Sequence, residues 1–191
     1  MKKALRIIHE EHRALAAMLG GLRQLVEGIE KGRMKADFGL IGAMIEYIDK
    51  LPEKVHHPKE NDYLFARLRT RCAEALPVIE RLEADHRRGE ARIRALEAAA
   101  DVFRQGGEIA FPAFHAEVLR YIEEEWKHMN AEEHEIFPLA EKHLQDEDWA
   151  TIEAAFVAND NPWEGAAGEY AQLFSKIVNL APPPIGLGPG G

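Results

Sequence analysis

Three times in this chain a histidine is followed four residues later by a glutamate: His56 and Glu60, His86 and Glu90, His128 and Glu132. Residues four apart on an α-helix project from one face, about a turn from each other, so each pair brings an imidazole and a carboxylate together. The pairs fall within apolar stripes. Leu82 precedes His86 by four residues and Ile93 follows Glu90 by three, while Tyr121, Glu125, His128, Glu132 and Ile136 step along one face. His12 occupies a stripe position between Ile8 and Leu15. An inward carboxylate costs several kcal/mol of desolvation unless a donor or an ion compensates it, and several at one level repel one another. A pair of cations resolves both problems. Iron, manganese and zinc all accept this mixture of nitrogen and oxygen donors.

The stripes define four long helical segments. The first runs over 3–31, with Gly32 as a stop; the second spans 36–72, with a kink or short break expected near Pro52. The third covers 75–105 and ends at Gly106-Gly107, and the fourth covers 111–144. Short connections favour antiparallel neighbours, so the expected fold is all-α, an up-down-up-down four-helix bundle with additional short C-terminal helices. The expected organisation is a metal-binding bundle over 1–145, a short helical extension over 146–180 with helices near 149–157 and 169–178, and an extended Pro/Gly-rich tail over 181–191.

Composition removes several function classes. A net charge of −9 argues against nucleic acid, which requires concentrated Lys and Arg. No apolar run approaches the roughly 20 residues that span a bilayer, and the charged start does not read as a signal peptide. The lone Cys72 cannot form an internal disulfide, which fits a cytoplasmic location, and it has no evident acid, base or redox companion. A nucleophile elbow and a Gly-rich phosphate loop are both missing from the sequence.

An internal repeat adds weight to two of the pairs. His56-His57-Pro58-Lys59-Glu60 with Phe65, and His128-Met129-Asn130-Ala131-Glu132 with Phe137, share His, then Glu four residues on, then Phe nine residues on. Together with Glu11-His12-Arg13 and Asp85-His86-Arg87, these segments closely resemble the bacterial hemerythrin-like HHE cation-binding domain over roughly residues 3–145. The resemblance implies a four-helix bundle around two iron ions with an oxo or hydroxo bridge, zinc or manganese being substitutes. It implies His12, His56, Glu60, His86, His128 and Glu132 as ligands, with Glu60 and Glu132 bridging. Glu133 competes with Glu132, which repeats the spacing of Glu60.

The third helix departs from the oxygen carriers of the family, since Glu90 stands where they place a second histidine. Glu90 as a ligand would give three carboxylates and a centre more like carboxylate-bridged oxidases. The implied functions are sensing or handling of dioxygen, peroxide or iron. A structural or interaction bundle stabilised by metal, or metal storage, is the alternative, and a second copy or another protein is the partner class left open. His9 and His57, beside ligand candidates, are expected to support the site or lie at the surface and not to coordinate, and His115, His134 and His143 are expected at the surface or against partner helices.

Overall fold

The computed structural model describes residues 1–51, 56–158, 173, 175–182, 185 and 186. Pro52, and with it the expected kink, lies outside the described residues, as does half of the helix expected over 169–178; residue 173 and residues 175–180 are helical.

Helix α1 (Lys3–Glu30) ends where the sequence places a glycine. Gly32 takes a left-handed φ of 63°. Its N–H reaches the Ile29 carbonyl at 3.0 Å and that of Arg33 the Gly28 carbonyl at 2.9 Å, so the last carbonyls of the helix keep partners. Asp37 then starts α2 (Phe38–Leu51), its Oδ1 accepting from the backbone N–H groups of Gly39 and Leu40 at 2.9 and 3.0 Å.

Beyond the undescribed stretch the chain continues as α3 (His57–Lys59), a wide π turn (Glu60–Phe65) and α4 (Ala66–Arg71). A 3₁₀ turn (Ala73–Ala75) leads into α5 (Leu76–Gly106), which ends at Gly107 with φ 59°. After α6 (Phe111–Ala131) a second π turn (Glu132–Ile136) leads into α7 (Phe137–His143), followed by α8 (Asp146–Ala158).

Helix α1 packs on α2 and α6, and α5 packs on the same two. With short connections between successive segments, this is an all-α, up-down-up-down four-helix bundle. Its interior is layered. One apolar cluster includes Leu22, Ile41, Ile48, Leu96, Phe103 and Phe114; the other includes Leu5, Ile8, Leu68, Ile79 and Phe137. Each fully buried Leu, Ile or Phe is worth about 1.5–3 kcal/mol, so these two layers hold the bundle together. Buried His, Glu and Lys residues sit between them in the chain order of every long helix: Glu11 and His12, His56 to Glu60, His86, and Glu125 to Glu132.

The C-terminal part covers both ends. Helix α8 brings Trp149, Ile152 and Phe156 onto the second cluster, and it begins three residues earlier than the sequence suggests. Its Asp148 takes a 2.8 Å ion pair from Arg71 at the end of α4. The first cluster receives Ile177 and Ala181, with Ile185 packed against it. The segment from 181 therefore does not start as an extended tail. Ala181 is fully buried, and the Pro182 carbonyl accepts from the Ile185 N–H at 3.0 Å.

Candidate metal centre

Both copies of the His-x₃-Glu-x₄-Phe repeat run into a π turn that opens at their glutamate. A π turn widens the helix by one residue, and such turns occur mostly at functional sites. Here the widening lets the fourth and fifth residues after the histidine both face the interior. Glu60 and Asn61 point inward from one repeat, Glu132 and Glu133 from the other.

The four histidines form two pairs. Nε2 of His12 lies 3.0 Å from Nε2 of His56, and Nε2 of His86 lies 3.0 Å from Nε2 of His128. Between the pairs lie two carboxylates, each with one oxygen toward either pair. Glu60 has Oε1 3.3 Å from His56 and Oε2 3.6 Å from His86. Glu132 has Oε2 3.1 Å from His12 and Oε1 3.1 Å from His128. All six side chains are buried, and Glu60 and Glu132 are fully so.

Three of the four outward nitrogens have hydrogen-bond acceptors. His56 Nδ1–H donates to Glu11 Oε2 at 2.7 Å, and His12 Nδ1–H donates to Glu133 Oε1 at 2.8 Å. His86 Nδ1–H donates to the Asn61 carbonyl oxygen at 2.9 Å, and His128 Nδ1 faces Asp85 Oδ2 at 3.7 Å. A carboxylate or carbonyl oxygen only accepts, so the proton of a neutral ring sits on Nδ1 and leaves an Nε2 lone pair aimed inward. Two such lone pairs 3.0 Å apart repel unless a cation stands with them.

Without an ion, a proton on each pair would serve that role. Burial works against a charge on His12, but Glu132 and Glu133 raise its pKa to about 9, while burial lowers that of its partner His56. Burial likewise opposes a charge on His128, yet Glu132 and Asp85 raise it to about 10, and burial lowers His86. The carboxylates divide similarly. Burial and the neighbouring Glu132 push Glu60 well above the ordinary range, whereas His128, His12 and His86 overcome burial and hold Glu132 well below it. None of the four oxygens of Glu60 and Glu132 has a hydrogen-bond partner. The donors thus fit a pair of metal ions: two sets of ligand atoms, His12–His56–Glu60–Glu132 and Glu60–His86–His128–Glu132, each lie within 4.8 Å and share both carboxylates.

Six of the seven ligand candidates read from the sequence come together in this way. Glu90 does not. The buried seam of α5 runs through His86, Gly89 and Ile93, and Glu90 falls on its exposed flank. Its side chain therefore keeps water around its charge, and the three-carboxylate arrangement has no counterpart here.

His57, expected to support the site or lie at the surface and not to coordinate, is buried, stacks on His86 with ring centroids 3.9 Å apart, and has a ring nitrogen within 4.8 Å of ring nitrogens of His86 and His128. Phe65 lies parallel to His86 at 5.9 Å. Sequence reasoning also missed Lys59, which is 2% exposed, donates to Glu11 Oε1 at 3.2 Å and lies over the Phe156 ring. Its sole sequence signal was the place between His56 and Glu60. His9 lies 3.1 Å from Glu133, and His134 is exposed. Cys72 is not without companions: its sulfur, Glu74 and a ring nitrogen of His143 lie within 4.8 Å of one another.

Among the described residues no helix is long and apolar enough to cross a membrane. Comparison with curated proteins and with solved structures gave no match. The profile of the hemerythrin HHE cation-binding domain matches residues 3–148, a stretch that contains both π turns and every side chain of the centre. By this match over most of its length, the chain belongs to the hemerythrin HHE cation-binding domain family.

Proposed function

We propose that this protein binds two iron ions through His12, His56, Glu60, His86, His128 and Glu132, and uses them to sense or handle dioxygen, peroxide or iron itself. The observation that supports this most is the placement of Glu60 and Glu132, each with one oxygen toward either histidine pair. A carboxylate so placed would hold both ions. Without Glu90 the donor set is four histidines and two carboxylates. An iron pair, when bound, supplies electrons to dioxygen or peroxide at a site that water does not flood.

The protein's own contribution is threefold. Glu11, Glu133 and Asn61 fix the ring orientation and tautomer of three histidines. The two apolar layers restrict water around the centre, which strengthens every charge interaction within it. Lys59 balances the buried charge of Glu11. Zinc and manganese suit the same donors.

The test is anaerobic loading with ferrous iron, metal analysis, and absorption before and after exposure to air. Two irons per chain and a new absorption band on oxidation are expected. Absence of stoichiometric metal after loading would overturn the proposal. Two bound irons whose spectrum does not respond to dioxygen or peroxide would favour a stabilising or storage role, a reading supported by the fully buried carboxylate oxygens of Glu60 and Glu132, which lack hydrogen-bond partners.

A further inference from the structure

Behind the two histidine pairs the protein is not symmetric. On one side both imidazoles donate short, charge-assisted hydrogen bonds, His56 to Glu11 at 2.7 Å and His12 to Glu133 at 2.8 Å. On the other side His86 donates to a neutral amide, Asn61, at 2.9 Å. His128 faces Asp85 at 3.7 Å, beyond hydrogen-bond reach, and Asp85 is itself drawn toward Arg88.

A carboxylate that accepts the outer N–H of an imidazole fixes the ring's orientation and tautomer and strengthens its bond to a metal. Glu60 and Glu132 are shared between the positions and do not discriminate between them. Two further charges need weighing. Lys59 offsets part of the Glu11 charge but also keeps that buried carboxylate ionised and able to accept from His56. Glu125, near His128, is paired with Arg92 at 3.2 Å, so it adds little net negative charge on the weaker side.

We infer that the two metal positions are inequivalent, the one between His12 and His56 binding its ion more tightly than the one between His86 and His128. This rests on the metal-pair reading above. Partners of this kind change metal affinity by roughly 10–100-fold, so the two positions differ by about tenfold or more. The first ion enters at Glu11 and Glu133's side of the bundle, and the second is the one lost first to a chelator.

The full chain, freed of metal and labelled with ¹⁵N at histidine, tests this when titrated with zinc. Calorimetry is expected to show two steps separated by about tenfold or more. Up to one equivalent, the Nε2 resonances of His12 and His56 take the shift of coordination; those of His86 and His128 follow only in the second step. Asn61→Asp is expected to tighten the second step and Glu133→Gln to weaken the first, so that either narrows the gap. A single step with equal sites, or His86 and His128 responding first, overturns the inference while leaving the metal pair standing. No zinc binding at all overturns the metal pair as well.

Discussion

At His12 the ring is held from both nitrogens: Nδ1 against Glu133 at 2.8 Å, Nε2 against Glu132 at 3.1 Å and His56 at 3.0 Å. That environment raises its pKa to about 9, and a comparable one raises His128 to about 10. Coordination requires both rings to be neutral, so below about pH 9 metal binding displaces about two protons. Zinc affinity is therefore expected to rise with pH, and the heat of binding to vary with the ionisation heat of the buffer. A flat affinity between about pH 6 and pH 8 would contradict this. The sign for stability is opposite. Both values lie above the ordinary 6.5, so the charged forms stabilise the metal-free fold fully below about pH 6.5, and that stability is lost as pH rises through 9 to 10. The melting temperature of metal-free protein should fall over that range, and metal should stabilise most at its upper end. Single substitutions separate ligand from bystander. Glu60→Gln or His128→Ala is expected to reduce bound metal below two per chain by elemental analysis, whereas Glu90→Gln, on the exposed flank of α5, should leave two.

At the scale of elements, the π turns do what the repeat could not announce. The stripes of α1, α5 and α6 were legible because burial follows a period that side-chain spacing records. The pairing of Glu60 with Asn61, and of Glu132 with Glu133, was not, since a regular helix would send neighbouring residues about 100° apart. That is why Glu132 and Glu133 looked like rivals for one role. Glu132 lies between the histidine pairs, while Glu133 reaches the back of His12. Removing one residue from the first π turn tests the point. Deletion of the exposed Asp62 is expected to restore a regular helix, keep the helical circular dichroism, and lose metal stoichiometry because Glu60 and Asn61 no longer share a face. Asp62→Ala, which keeps the residue count, should bind two ions. If the deletion also bound two, the π turn would not be what aims these side chains.

For the whole molecule the polar layer is a burden that the two apolar layers carry and that bound cations would relieve. Ligand binding to the native state alone stabilises it by RT ln(1 + [L]/Kd), about 2.7 kcal/mol at a hundredfold excess over Kd. Metal should thus raise the melting temperature by several degrees. Helix α8 contributes separately. Trp149→Ala opens a cavity in the second cluster and is expected to cost about 3 kcal/mol by denaturant unfolding. It should leave the ligand side chains in place, so a variant that unfolded no more easily than the parent would show that α8 does not support this end.

The sequence by itself determined that the chain is a four-helix bundle and that His12, His56, Glu60, His86, His128 and Glu132 share its interior, because spacing along a helix fixes the face a side chain takes. It also supplied Gly32 and Gly107 as helix ends, through the left-handed φ each adopts. What stands across from each of those faces was left to tertiary structure. Only packing sent Glu90 to solvent, stacked His57 on His86, set Lys59 and Glu11 behind His56, and folded Ala181 onto the core. Such outcomes depend on which helices become neighbours and where a π turn widens one of them. No spacing within a single segment encodes that.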